Sequence, residues 1–454
     1  MIDHIQHLIL EAKSKAEAES GAEVEPQFAQ KIDWPVTCTV GPGLEGAIAC
    51  ESAVGYVNGT AGKLIYRGYD VFDLCAYSTF EEVTYLLLHG ELPTKGELDN
   101  FKAELCRRRR VTRTLRQLMS NPIEEMNDMA ALRLGVDFLR RTRSKVDTME
   151  GRPESETAIS ADEDSIPMEK APYGEKKAIY EFTKSALGPN KPVDLGTCYD
   201  LIAAMPTIVA AIHRIKAGKM PIEPHPDLSH AANFLYMIRG EEPTPLEEKV
   251  MDVALILHAD HGMNASTFAT MVVASTLSDI YFSIGAGIAA LNGPLHGGAN
   301  EAAIKALKEI GHKDNVRAWL DEKLARKEKI PGFGHRVYKA YDPRARILGP
   351  LAKELAKEHP ECRTLTETAE VLEEEIIRRF GETKGLFPNV DFYSGLVYMT
   401  MGLEQHLFTP IFAVSRVAGW TARTIEYLEN NRIFRPRAVY TGSFDKKYKP
   451  LDER

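Results

Sequence analysis

Four polar, glycine-bearing breaks that carry histidines and acids divide a long run of helix-period segments, and no other feature of the sequence narrows its fold as much. From about residue 71 onward, apolar residues recur every three to four positions over 80–90, 92–106, 201–219, 228–239, 245–258, 266–291, 298–310, 343–359, 367–380, 392–405 and 410–429. Each spacing predicts a helix with one buried face. Residues 36–70 differ. The short apolar runs 37–40 and 47–50 are cut by Gly41, Pro42, Gly43 and Gly46, and 55–68 adds more glycine and aromatics. This predicts short strands and turns. The expected fold class is mainly α, with a few short strands near the N-terminus.

A chain of 454 residues exceeds one small core, so two or three folding units are expected. With 44% hydrophobic residues it can bury a sizeable interior, yet no apolar run reaches the length of a membrane span. A formal net charge of −9 argues against nucleic acid or an anionic membrane as partner. Six cysteines lie scattered without a CxxC pair, which points to reduced thiols rather than a disulfide framework or zinc site. The opening residues show neither a secretory nor a transit pattern, so a cytoplasmic location is expected. Residues 2–19 set Ile2, Ile5, Leu8, Ile9 and Ala12 at helical spacing. That amphipathic helix either packs on its own chain or docks a partner. Residues 20–34 read as a polar connector, and 145–192, acidic and poor in large apolar side chains, as a mobile surface insertion. Within it, 176–186 has helical spacing.

The first break runs from His258 to Ser266. Asp260, Asn264 and Ser266 are all able to cap the following helix. His258 and His261 lie three apart, but HExxH spacing is absent and no third ligand follows at a recognised offset, so no metal is expected. In the second break, Gly293 and Pro294 stop one helix and Gly297 and Gly298 precede the next, which puts His296 at a helix N-terminus. There a neutral imidazole is favoured, able to donate to a substrate oxygen or simply to pack. The third break, 331–344, combines Gly332 and Gly334 with His335, Arg336, Lys339 and Arg344. Such a loop suits a nucleotide or a carboxylate, or is a solvated basic turn. In the fourth, Asp391 follows Pro388 and precedes an apolar helix: a helix cap, or a carboxylate base whose apolar surroundings raise its pKa.

Joined in this order, the breaks resemble those of the citrate synthase family. The likeness runs through Gly43-Leu-Glu-Gly, Tyr66-Arg-Gly-Tyr-Asp, Asp227-Leu-Ser-His, His258-Ala-Asp-His, Gly293-Pro-Leu-His-Gly-Gly, Pro331-Gly-Phe-Gly-His-Arg-Val-Tyr, Asp342-Pro-Arg, Pro388-Asn-Val-Asp-Phe and Arg435-Pro-Arg-Ala-Val-Tyr. The resemblance implies condensation of acetyl-coenzyme A with oxaloacetate, then hydrolysis of the citryl intermediate, without metal or redox cofactor. Asp391 would be the base, His296 the support for the enolate oxygen, and His335 the group that polarises the acceptor carbonyl. His261, Arg344, Arg416 and Arg435 would hold the acceptor, with Arg435 supplied across a homodimer. Arg336 and Lys339 would help with coenzyme A phosphates. The resemblance also implies a large helical domain (36–297 and 391–454, interrupted by the insertion), a smaller one (298–390) and an appended 1–35. A 2-methylcitrate synthase using propionyl-coenzyme A shares the same residues. A catalytically silent scaffold is the other-class alternative.

Overall fold

The computed structural model describes residues 2–20, 32–143, 195–443 and 446–454. The expected insertion 145–192, with its helix 176–186, lies outside the described residues.

Helices dominate, as their spacing predicts. The ends follow local chemistry. Thr94 and Thr244 each form a capping box with a glutamate three residues on, opening Lys95–Arg108 and Pro245–His258. Gly90 and Gly240, both at positive φ, close Phe80–His89 and His230–Arg239. The expected helix 266–291 is two helices, Ala265–Ser275 and Ile280–Leu291, packed on each other. Asp279 caps the second by accepting from Phe282 N, and Leu277 takes φ +62 in the turn between them. Uniformly apolar composition hid that turn.

The described residues hold one antiparallel three-stranded sheet, β1 (Gly55–Asn58), β2 (Lys63–Tyr66) and β3 (Tyr69–Asp70), in that order. The apolar runs 37–40 and 47–50 are not strands. Among the described residues they have no neighbouring strand to pair with their backbone.

The Phe408–Glu429 helix, almost wholly buried, is the central post. It packs against Gly196–Lys216, Pro245–His258 and the Ala265–Ser275 and Ile280–Leu291 pair. Gly196–Lys216 is long and apolar enough to cross a membrane, but neighbouring helices bury most of it. A second cluster forms where Val390–Thr400 packs on Pro343–Glu358 and Ala299–Ile310. The opening helix Ile2–Glu19 docks on its own chain. It buries Ile5, Ile9 and Ala12 against Val71–Tyr77 and Pro343–Glu358, and Lys13 pairs with Asp73 at 2.7 Å.

Candidate active site

The third and fourth breaks are tied together by backbone. Gly334 N donates to Phe387 O and Asn389 N to Gly332 O, both at 2.9 Å, and the Asn389 amide donates to Gly334 O at 2.9 Å. Gly332 (φ +82) is required here, because a Cβ would lie 2.8 Å from the Phe392 ring. Asp342 adds a second tie. It caps Pro343–Glu358, holds the Arg344 guanidinium at 2.8 and 3.0 Å, and accepts from Val390 N at 3.2 Å. His335, Arg344 and Asp391 are thereby brought to one place.

The first break rests on the post helix. Gly419 N donates to Ala259 O at 3.0 Å, and a Cβ on Gly419 would lie 2.3 Å from that oxygen. Arg423 grips Asp260 with two bonds of 2.7 Å, and Tyr66 Oη donates to Asp260 O at 2.9 Å. Burial alone would raise the Asp260 pKa, but the Arg423 charge holds it below the usual carboxylate range. Asp260 is therefore an anchor, and Asn264 alone caps the next helix. The small sheet wedges between the first and third breaks. Gly55 O accepts from Arg423, and Gly59 O, in the β1–β2 turn, accepts from Lys339 N at 2.9 Å. This places His261 beside the third break, with its Nε2 3.2 Å from Tyr338 Oη and its ring centroid 5.3 Å from that of His335. His258 instead points into the core, its Nδ1 2.7 Å from Ala254 O and its ring edge-on to Phe412. The HxxH pair does not face one site.

Hydrogen-bond geometry assigns the protons of the two key imidazoles. Ser266 N donates to His296 Nε2 at 3.2 Å, so Nε2 is an acceptor and Nδ1 carries the hydrogen. His335 is the reverse. Its Nδ1 accepts from Val337 N and Tyr338 N at 3.0 and 3.1 Å, leaving the hydrogen on Nε2. Both rings are held neutral, with pKa values pushed down to about 4. Burial is the main cause, followed by Arg416 for His296 and Arg344 for His335. Lateral burial and nearby guanidinium, more than the helix end after Gly298, account for the neutral His296. His261 is held well below the ordinary imidazole range by burial, then by Arg344 and His335.

Asp391 moves the other way. Burial raises its pKa to about 6, against the pull of Arg344 and Arg416. It keeps partial access to solvent and sits in the first turn of Val390–Thr400, whose cap is Asn389 rather than Asp391. A carboxylate with a raised pKa is a stronger base than an ordinary one. Asp391 shares Arg416 with His296 and Arg344 with His335; two neutral N–H donors can support developing negative charge on two different oxygens.

The two buried arginines differ. Arg344 already has Asp342. Arg416, 1% exposed, donates Nε to His258 O, while its Nη2 has no partner among the described residues. Burial lowers its pKa to about 10. A buried cation lacking a carboxylate calls for an anionic ligand. Arg336 and Lys339 are exposed, and Arg336 lies 3.6 Å from Glu45. Arg435 is exposed on the extended segment after the post helix and is not drawn into this chain's own cluster of site residues. Sequence reading gave no role to Asp342, Tyr66, Trp420 or Arg423. For the last two a signal existed: Arg416, Trp420 and Arg423 stand at i, i+4 and i+7 in a mostly apolar stretch of this helix.

Comparison with known proteins matches this frame. Residues 43–437 fit the family model described as citrate synthase, C-terminal domain. Citrate synthase 2 of Bacillus subtilis is 43% identical over 91% of this chain and 98% of its own. A 2-methylcitrate synthase of Shewanella oneidensis is 36% identical over 91% of this chain and 98% of its own. Among solved structures, citrate synthase from Pyrobaculum aerophilum superposes with a TM-score of 0.76 at 38% identity, covering 94% of this chain and 99% of its own. The Thermoplasma acidophilum citrate synthase, solved with carboxymethyl coenzyme A and oxaloacetate, also gives 0.76, at 34% identity over 92% of this chain and all of its own. In fold and in sequence over most of its length, this chain belongs to the citrate synthase family.

Proposed function

We propose that this acyltransferase-family chain condenses acetyl-coenzyme A with oxaloacetate through Asp391, His296 and His335. Asp391 takes a proton from the thioester methyl. The Nδ1–H of His296 donates to the enolate oxygen, and the Nε2–H of His335 to the acceptor carbonyl. Preorganised donors of this kind are worth roughly 3–4 kcal/mol each at a developing oxyanion. Arg344, Arg416 and His261 receive the dicarboxylate, the guanidinium groups in bidentate fashion. Water then cleaves the citryl thioester. These steps ask for acid–base and electrostatic groups only, so no metal or redox cofactor is assigned.

The observation that carries this reading is a pair of neutral imidazoles with opposite tautomers and a carboxylate of raised pKa that feel the same buried guanidinium groups, Arg416 acting on His296 and Asp391 and Arg344 on His335 and Asp391. Thiol release from acetyl-coenzyme A plus oxaloacetate, with wild type and Asp391→Ala, is the test. Turnover in wild type with near-complete loss in a folded Asp391→Ala is expected. Full activity in that variant would sink the base assignment.

A homodimer completes the proposal. The segment bearing Arg435 leaves Ile433, Val439, Tyr440 and Tyr448 exposed, an apolar arm suited to a second copy. Arg435 would then reach the partner's acceptor, and 298–390 would close as the smaller domain. Arg336 and Lys339, on the open rim, would meet coenzyme A phosphates. A cytoplasmic location is part of the same reading. Propionyl-coenzyme A is the alternative donor, favoured by the 2-methylcitrate synthase likeness. One methylene discriminates by only ~1–3 kcal/mol. The ratio of kcat/KM for the two donors decides, and a strong propionyl preference would reverse the choice.

A further inference from the structure

We infer that Trp420 is a positioning residue for His296, acting through the Ser266 hydroxyl; the inference rests on the role given to His296 above. Trp420 is fully buried on the post helix, one turn beyond Arg416. Its indole Nε1 donates to Ser266 Oγ at 3.2 Å. That oxygen lies 2.8 Å from His296 Nε2 and 2.8 Å from Asn264 Oδ1. The Ser266 backbone N–H also points at His296 Nε2.

The hydroxyl has one hydrogen and two lone pairs. The indole fills one lone pair and so fixes how the hydroxyl is turned, with its hydrogen directed to Asn264 or to the ring and its oxygen held against Nε2. The Ser266 backbone N–H keeps Nε2 an acceptor and the imidazole hydrogen on Nδ1, the nitrogen left to face substrate. Packing fixes the indole in turn. A Cβ on Gly287 would lie 3.2 Å from the Trp420 ring and 2.4 Å from Thr270 Oγ1, so only glycine leaves the indole its place. Asn264 caps Ala265–Ser275, so the same hydroxyl links the start of that helix to the ring. A phenylalanine at 420 would fill much of the space and lack the donor. The Ser266 hydroxyl would then be free to turn, and the imidazole would lose the fixed seat of its Nε2.

The test is steady-state kinetics of Trp420→Phe with acetyl-coenzyme A bearing a protiated or deuterated methyl group. Loss of one oriented hydrogen bond predicts a fall in kcat of about tenfold, with both KM values within about twofold. Because the step supported by His296 becomes slower, the deuterium effect on kcat should rise. A merely structural role would not move it. Ser266→Ala and the double variant complete a cycle. If Trp420 acts through Ser266, the double variant is no slower than Ser266→Ala. Replacing the Trp420 indole with its benzothiophene isostere keeps the shape and removes only the N–H, and carries the same expectation if Trp420→Phe folds poorly. Unchanged kcat and isotope effect in a folded N–H-less variant, or losses that multiply in the double variant, would overturn the inference. His296→Ala run alongside separates the two levels. If it abolishes turnover while Trp420→Phe does nothing, only the role of Trp420 falls. If it too retains turnover, the role of His296 falls and this inference with it.

Discussion

Asp391 carries a cost that removing its charge should recover. Its pKa is raised from an ordinary 3.8 to about 6, chiefly by burial. About two units correspond to ~3 kcal/mol of disfavour for the charged form in the fold. Its place in the first turn of Val390–Thr400 returns up to ~1 kcal/mol through the helix dipole. The remainder, ~2 kcal/mol, is what Asp391→Asn should gain, since asparagine is nearly isosteric and uncharged. An unfolding entropy of ~2.1 cal/mol/K per residue makes this a rise in Tm of roughly 2 °C. The sign with pH is fixed. A carboxylate whose folded pKa is raised adds stability below its unfolded pKa and loses it as pH rises through the folded value. Wild type should therefore fall behind Asp391→Asn between pH 4 and 6, stay behind by a constant margin above pH 6, and match it near pH 4. Scanning calorimetry of the two ligand-free proteins across this range, with thiol release as the activity check, measures it. An inactive Asp391→Asn with no Tm gain at pH 8, or with a loss, would refute the claim that burial strains this carboxylate.

Arg416→Met removes a buried cation whose Nη2 has no partner among the described residues. KM for oxaloacetate should rise at least about thirtyfold, as for a lost buried charge pair worth ~2–5 kcal/mol, while calorimetry should find the ligand-free Tm unchanged or higher. Gly332→Ala forces a side chain into φ +82 and onto Phe392. It should cost about 1–2 kcal/mol and lower kcat by disturbing the His335 loop, read from Tm and turnover together. Ile9→Ala empties a buried seat of the opening helix and should cost ~2–4 kcal/mol, read as a Tm loss of a few degrees.

The helical class was legible because burial imposes a period that survives in sequence, and Ala299–Ile310 shows it by burying Ala303, Ile304, Leu307 and Ile310. Element ends inside uniformly apolar stretches were not, since 266–291 has the same hydropathy on both sides of the turn at Leu277. The four breaks were legible as chemistry because histidine and acid beside glycine have few purely structural uses in combination. Which side chain did which job was harder. Asp260 reads as a cap from its spacing, yet Arg423, far along the chain, claims it. His258 and His261 look paired by spacing, yet they diverge because the helix Pro245–His258 ends between them. Tertiary partners decide such cases, and local sequence does not name them.

The two guanidinium groups also couple acceptor binding to base strength. Arg344 is ion-paired in place with Asp342, while Arg416 feels Asp260 and Asp391 only through space and has no ion pair among the described residues. Both pull the Asp391 pKa down in the empty site. A dicarboxylate seated between them offsets that pull and adds negative charge nearby, so Asp391 must become a stronger base once the acceptor is bound. Proton abstraction from the acyl donor is thereby favoured only when its electrophile is in place. Profiles of kcat/KM for oxaloacetate report the empty enzyme, and those of kcat the loaded one. The acid limb of kcat should then lie at higher pH than the acid limb of kcat/KM, the latter near 6. Coincident limbs would mean that the acceptor's charge does not reach Asp391, and that the coupling of the two half-sites has another cause.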